Sequence, residues 1–329
     1  MIYWYSLSPL DTIFCKSAGP MVMGENHSAQ SIFPPPAETL SGAFRTAVLK
    51  QNNIEIKDYL NNKAGAEITD FIGKAGGNPN FEIAGILFVK DFQIYVPAPF
   101  SWFAEKSELG KNKSDLENGR DKAVRIFRAE KMSTPLVKVS TGSSFYCAKG
   151  DIGELTSLGG KWLSYEDLAA QKKALDIYSS NYFYDPEIRT GIALSGKNRT
   201  VRESHLYSFT HSRLKNGFKM AAAVKYNGTP LLKDRGIIKT GGEQRISRYE
   251  KMETHLQFDD SSPGKFMSLC PLKIKTDIED KLISTGRILY TGGWDLKKGF
   301  HKPMRPFYPA GTVFSENINN TLIKIEENV

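Results

Sequence analysis

Ile83-Ala84-Gly85-Ile86-Leu87-Phe88-Val89, then Lys90-Asp91, then Phe92-Gln93-Ile94-Tyr95-Val96: two apolar runs meet across a short polar turn, and Pro97-Ala98-Pro99 closes the second. Aliphatic and aromatic runs on either side of a turn predict a β-hairpin, hence an antiparallel sheet. Upstream, Ile2-Tyr3-Trp4-Tyr5-Ser6-Leu7 reads as another strand, stopped by Ser8-Pro9-Leu10-Asp11. Between strand and hairpin, Pro34-Pro35-Pro36 leads into residues 37–50, where Leu40, Ala43, Phe44, Ala47 and Val48 recur at helical spacing. Proline is tolerated in a first helical turn, so a helix is predicted there. Gly42 inside it costs about 1 kcal/mol relative to alanine, and close packing against a neighbour is the expected reason for it.

Working onward, Phe103 to Lys131 is densely charged and reads as a protruding insertion. Asp151 to Gly160 is turn-rich, and Tyr165 to Asp176 reads as a short helix. Asn181 to Glu187 resembles a boundary. New strands are predicted at Ile188–Leu194, His205–Thr210, Gly217–Val224 and Phe266–Leu269, with a short helix or turn at Ile278–Ile283 and glycine-bearing loops at Asp234-Arg235-Gly236 and Thr240–Arg245. Strands, helices and hairpins interspersed in both halves define an α+β class, with room in each half for one β-α-β-β-α-β unit. The expected division is 1–187, with an insertion at about 103–160, and 188–329.

At 329 residues the chain can bury two cores of ordinary size. No segment approaches the roughly 20 apolar residues that span a bilayer, and the N-terminus lacks the pattern of a signal peptide; a cytoplasmic protein without membrane contact is expected. Cys15, Cys147 and Cys270 lie far apart, which indicates neither a disulfide framework nor a zinc site. No metal and no cofactor are expected. The net charge of +8 suggests an anionic partner, and the cations concentrate in the second half. Arg189, Lys197, Arg199, Arg202, Arg213, Lys215 and Lys219 face the single acid Glu203 in that interval, and Lys239, Arg245 and Arg248 follow.

Near the C-terminus, Thr291-Gly292-Gly293-Trp294-Asp295-Leu296-Lys297-Lys298-Gly299-Phe300-His301-Lys302-Pro303 combines glycines, an aromatic face and cations. Glycines let a main chain approach a ligand. Lysines meet phosphates, and an exposed tryptophan stacks on a base. This is the chemistry of a single-stranded nucleic-acid contact. Trp294 could instead anchor a core. Arg45 lies roughly 140° around its helix from Leu40, away from the apolar stripe, and either meets solvent or faces a cleft.

Five segments in order resemble one family: Pro9-Leu10-Asp11, Phe33-Pro34-Pro35-Pro36 through Arg45, Arg189-Thr190-Gly191-Ile192-Ala193-Leu194, Gly241-Gly242-Glu243-Gln244-Arg245, and the glycine-rich tail. Together they resemble the third subunits of Cmr complexes, RAMP proteins of type III-B CRISPR-Cas systems. The resemblance implies two ferredoxin-like (RRM-related) domains facing each other. It also implies a non-catalytic role: capping the 5′ handle of crRNA, next to a Cas10-type large subunit and a backbone RAMP subunit. Family glycine-rich loops line the RNA cleft, which here implies Gly292, Gly293, Trp294, Lys297 and Lys298. A thumb-like hairpin is implied as well, with Lys106 to Arg128 its candidate. The RNA-contact set expected from charge and resemblance is Arg45, Arg189, Lys197, Arg199, Arg202, Gly241, Gly242, Arg245, Gly292, Gly293, Trp294, Lys297, Lys298 and Lys302.

Two rivals stay open. Metal-independent RAMP endoribonucleases use a positioned histidine as acid or base; His27, in the loop before the first helix, is the candidate, with Tyr3, Tyr5 or Lys16 to assist. His205, His211, His255 and His301 show no metal-ligand spacing and no evident partner. The other rival is the handle-binding subunit of a type III-A complex, which shares the proline-led helix and glycine-rich segments.

Overall fold

The computed structural model describes residues 1–16, 28–111, 115, 117–132, 145–148, 153–194, 198, 200–258, 263–318 and 320–326. Its centre is a nine-stranded antiparallel sheet. The strands follow the order Arg235–Lys239, Ile246–Met252, Ile2–Pro9, Phe218–Lys225, Glu82–Lys90, Gln93–Pro97, Trp162–Ser164, Leu175–Tyr178 and Arg120–Ala123. The predicted hairpin lies in the middle, with Phe88 opposite Tyr95 and Lys90 opposite Gln93.

Glu82–Lys90 is almost continuously apolar because both its faces are covered. Side chains alternate along a strand, so Ile83, Ile86 and Phe88 enter one core with Leu40, Phe44 and Val48 of the helix Ala37–Gln51. Ala84, Leu87 and Val89 enter a second core with Met267, Val313 and Ile323 from the C-terminal part. The helix buries the residues its spacing predicted. Gly42 departs from expectation: a Cβ there would meet nothing within 4 Å, so it opens onto free space rather than a packed neighbour.

The sheet crosses the expected division at 187/188. Phe218–Lys225 lies between Ile2–Pro9 and Glu82–Lys90, pairing Tyr5 with Ala222 and Phe88 with Met220. Strands far apart in sequence pair through complementary apolar faces, which local patterns do not announce. The four strands Ile2–Pro9, Glu82–Lys90, Phe218–Lys225 and Ile246–Met252, numbered in chain order, stand as 4-1-3-2. A second, four-stranded sheet of Lys265–Ser268, Leu282–Ser284, Val313–Phe314 and Leu322–Glu326 has the same 4-1-3-2 order.

The charged segment after Phe103 is built into the body where it is described. Trp102–Glu105 joins Phe127–Arg128 and Leu155–Ser157 in a small sheet, and Arg120–Ala123 forms the edge of the large one. The thumb hairpin expected at 106–128 is therefore replaced by edge pairing. The buried Ala104, Ala123 and Phe127 are apolar anchors that the surrounding charge concealed. Glu326, 6 % exposed, pins this segment to the last strand: its carboxylate accepts from Trp102 Nε1 at 2.5 Å and Lys265 Nζ at 2.6 Å, with Arg128 Nε at 3.6 Å. The helix expected at 165–176 is also shorter, ending at Ala169 before the strand Leu175–Tyr178. Two other hairpins project: Tyr184–Leu194 with Val201–Leu214, and Leu289–Asp295 with Phe300–Tyr308.

Candidate nucleic-acid interface

The glycine-rich tail forms the second of these ribbons. Asp295 organises its tip, with Oδ1 accepting from the backbone N–H groups of Lys297 (2.9 Å) and Lys298 (3.2 Å), while Gly299 takes φ 61°. Those N–H donors, Lys298 foremost, hold the Asp295 carboxyl below its usual value, with help from the Lys298 and Lys302 charges. Gly292 and Gly293 do not form an open loop. They sit in the strand where the register slips between Thr291 and Gly293, and Gly293 pairs with Lys302.

A Cβ on Gly292 would come within 3.1 Å of both the Lys302 carbonyl and Met304 Sδ, so this glycine serves close pairing of the ribbon. Trp294 is not a core anchor. It is 54 % exposed, and its ring meets His301 edge-on at 5.1 Å between centroids. Phe300, 68 % exposed, and Tyr290 are likewise open. Lys297, Lys298 and Lys302 are exposed among them.

The ribbon leans toward the first helical turn. Lys302 and Arg305, with Lys273, act on the Glu38 carboxyl, although burial dominates and raises it. Lys297 Cδ is 3.1 Å from the point where a Cβ on Gly76 would stand. Arg45 is placed differently from its expected role. Its guanidinium donates to the Gly77 and Lys74 carbonyls, each at 3.0 Å, and to the Tyr59 hydroxyl, and so ties the 73–79 loop to the helix.

Three of the five sequence segments converge elsewhere, around Asp11. Arg189 and Arg245 each donate to Asp11 Oδ2 at 2.8 Å, and Arg213 to Oδ1 at 2.7 Å. Glu187 takes Arg189 at 2.8 Å and Arg213 at 2.5 Å; Glu243 takes Arg245 at 2.8 Å. Burial would raise the Asp11 carboxyl, but the Arg189 and Arg213 bonds bring it below its usual value. Glu187 is held down at about 2 by Arg213 and Arg189. The predicted contacts Arg189 and Arg245 thus spend much of their donor capacity inside the protein.

The Gly241-Gly242 loop completes this cluster. Gly241 has φ 83°, and a Cβ on it would run into the Phe14 carbonyl; Gly242 N–H donates to that carbonyl at 2.7 Å. Only glycine fits such a left-handed close approach. His211, without evident partner in the sequence, is fully buried with Thr12 Oγ1 at 2.9 Å from Nδ1 and Glu243 at 3.2 Å from Nε2. Burial lowers its pKa despite Glu243.

The sequence reading missed the acids of this network and its aromatic row. Tyr207, Phe209 and His211 alternate on one strand; Phe14 lies 5.0 Å from the Phe209 and His211 rings, and Tyr207 lies 5.0 Å from Phe209. Period-2 aromatics were the available signal. Arg202 lies on the strand Val201–Leu214, of which only the backbone is described there. His27, Lys197 and Arg199 lie outside the described residues. Among the described residues no group of three or more His, Cys, Asp or Glu side chains could hold a metal ion, and no helix is long and apolar enough to cross a membrane.

Comparison with known proteins bears on these features. The family model described as "CRISPR-associated protein (Cas_Cmr3)" matches residues 5–267. A subunit in the structure of the type III-B Cmr-beta complex bound to cognate target RNA and AMPPnP superposes with a TM-score of 0.54 at 15% identity, covering 94% of this chain and 85% of that one. A subunit in the complex bound to cognate target RNA gives 0.54 at 16% identity, covering 94% and 86%. No curated protein matches the chain.

The strand-dominated α/β fold is shared with these subunits of the type III-B Cmr-beta complex. The chain belongs to the Cas_Cmr3 family of CRISPR-associated proteins, and is thus a type III CRISPR effector subunit.

Proposed function

We propose that this chain is a non-catalytic RNA-holding subunit of a type III-B complex in the cytoplasm. It caps the single-stranded 5′ handle of crRNA and bridges a Cas10-type large subunit to a backbone RAMP subunit. The observation that carries this is the ribbon at 289–308, where exposed Trp294 and Phe300 alternate with Lys297, Lys298 and Lys302, and where Lys302 and Arg305 act on Glu38 in the first turn of the helix Ala37–Gln51. Aromatic faces accept unstacked bases and cations follow the backbone, the usual logic of single-strand recognition. The repeated 4-1-3-2 strand order supports two ferredoxin-like units, with the ribbon inserted between the second and third strands of the later one.

The test is binding of fluorescent handle RNA across a salt series. Reversing Lys297, Lys298 and Lys302 to glutamate should weaken binding at least tenfold at low salt, and should flatten the salt dependence by roughly 0.7 for each phosphate no longer neutralised. Unchanged affinity would remove the ribbon from the interface. Repeat RNA incubated with the purified protein without metal should emerge intact; specific cleavage that disappears in His27→Ala would replace the holding role with an endonuclease.

A further inference from the structure

One face of the nine-stranded sheet is covered along only part of its width. In the middle of the sheet Ala84, Leu87, Ala221 and Ala223 pack against Met267, Val313 and Ile323 of the C-terminal part, and Trp4 and Met252 continue this core. Past them, toward Leu10 and the edge strand Arg235–Lys239, the cover stops. Ile238 and Tyr249 are buried in the core of the helix Ala37–Gln51, so by alternation Arg235, Ile237, Lys239, Ile246, Arg248 and Glu250 share the opposite face. The register sets them in rows: Lys239 beside Ile246, Ile237 beside Arg248 and Ser8, Arg235 beside Glu250 and Ser6. Leu10 extends the first row, its N–H donating to the Ile246 carbonyl at 3.0 Å. Ile237, Leu10 and Ile246 are 59 %, 54 % and 40 % exposed. Cross-strand neighbours lie within side-chain contact, so these aliphatics form one patch rather than scattered surface residues.

We propose that this face docks a protein subunit whose contact surface sets carboxylates around aliphatic side chains. Charge complementarity selects that occupant. The patch carries Arg235, Lys239 and Arg248 against Glu250, and among the described residues none of these cations is in an ion pair. Lys239 donates to the Gln244 Oε1 at 3.2 Å, a neutral partner. The adjoining cluster sets Arg189, Arg213 and Arg245 against Asp11, Glu187 and Glu243, so it balances itself and leaves the patch positive. The covered part of the same face supplies the second argument: a packed protein layer already begins there, and a partner continues it. RNA suits the patch less. It has no aromatic ring to stack a base, and exposed aliphatics gain by leaving water against another apolar surface. A second copy of the chain meeting it face to face would oppose like charges. The proposal rests on the chain being a subunit of a complex and is independent of the ribbon's contacts with RNA.

The test is zero-length carbodiimide cross-linking of the assembled effector complex, purified through a tag on the full chain and read by peptide mass spectrometry. Lys239 Nζ should be joined by an amide bond to an aspartate or glutamate of another subunit. Ile237→Ser/Ile246→Ser leaves the charge unchanged. Co-expressed with the parent chain, it should enter the complex about tenfold less well, as for loss of buried interface anchors. Arg235→Gln/Lys239→Gln/Arg248→Gln should lose entry to a similar extent. The Ile pair variant should still bind fluorescent handle RNA within about twofold of the parent, since the cations that meet phosphates are untouched. Parental entry of both variants overturns the proposal. So does a Lys239 that, in the unaltered chain, is joined only to this chain's own acids or to none, a readout independent of how any variant folds. A fall in handle-RNA affinity in the Ile pair variant while entry persists would assign the face to RNA, and overturns it too. If the parent fails to bind handle RNA while Lys239 still cross-links to another subunit, the RNA-holding role falls and the docking face stands.

Discussion

At the residue scale, Asp11 gathers the most structure per atom. It stands in a plain Pro-Leu-Asp turn after the first strand, and nothing local marks it. Yet it joins Arg189, Arg213 and Arg245 from three distant segments. Its side chain is partly open to solvent, so each pair is weak alone; the network, rather than any one contact, fixes the base of the long hairpin. Asp11→Asn should cost about 1–2 kcal/mol at neutral pH, near the value of one charge-assisted hydrogen bond, read as a lower urea midpoint. The pH dependence has a definite sign. Asp11 and Glu187 have folded pKa values below their ordinary ones, so their contribution is present above the unfolded carboxylate range and fades as pH falls through the folded value, about 2 for Glu187. The gap in urea midpoint between parent and Asp11→Asn should therefore be constant from pH 7 to 5 and narrow below pH 4. A gap that widens in acid would show that Asp11 acts through something other than this network.

At the element scale, the helix and hairpin were legible because each carries its own period: Leu40, Phe44 and Val48 every fourth residue, and two strands on either side of Lys90-Asp91. The glycine-rich tail was legible as chemistry and misjudged as shape. Gly292 and Gly293 suggested a loop, whereas strand pairing with Lys302 draws them into a ribbon, because glycine permits a slipped register as readily as a turn. The charged stretch after Phe103 failed in the opposite direction, since charge count hid Ala104, Ala123 and Phe127. The ribbon's exposure makes it separable from the fold. Residues 293–302 are exposed or half-exposed, so replacing them by an Asn-Gly turn should leave the unfolding free energy from urea titration within about 0.5 kcal/mol of the parent. Handle-RNA affinity should fall more than tenfold. A comparable drop in stability would mean that the ribbon holds the fold together, and weaker binding could then not be read as removal of an RNA-touching surface.

At the scale of the whole molecule, the pairing of distant strands was the part the sequence could not announce. Ile2–Pro9 pairs edge to edge with Phe218–Lys225 in an antiparallel ladder, and the two share the same cores on either face, a match that no local pattern encodes. The junction of the two sheets depends on a similar non-local fit. Leu269 docks on Gly85 in a parallel bridge, with Ile86 N–H donating to the Leu269 carbonyl at 3.3 Å. A Cβ at position 85 would stand 3.1 Å from Leu269 Cβ and 3.3 Å from its Cδ1, so Gly85 sets how near the sheets approach. Ala84, Ser268 and Cys270, immediate neighbours of this contact, line a cleft between the helix Ala37–Gln51 and the C-terminal strands. Glu38, on which the ribbon's Lys302 and Arg305 act, lines it too, and the width of the cleft follows from the same spacing. Gly85→Val should therefore cost about 1–3 kcal/mol through overpacking and weaken RNA binding, although residue 85 touches no proposed RNA contact. Leu269→Ala alone should cost about 2–5 kcal/mol as a buried truncation. Combined, the two should be less destabilising than their sum by about 0.5–3 kcal/mol, because each removes what the other disturbs, and RNA affinity should recover in part. Urea unfolding and RNA anisotropy on the four proteins of this cycle measure both couplings. Strict additivity in stability, or an RNA affinity indifferent to Gly85→Val, would show that the sheet junction does not govern the cleft.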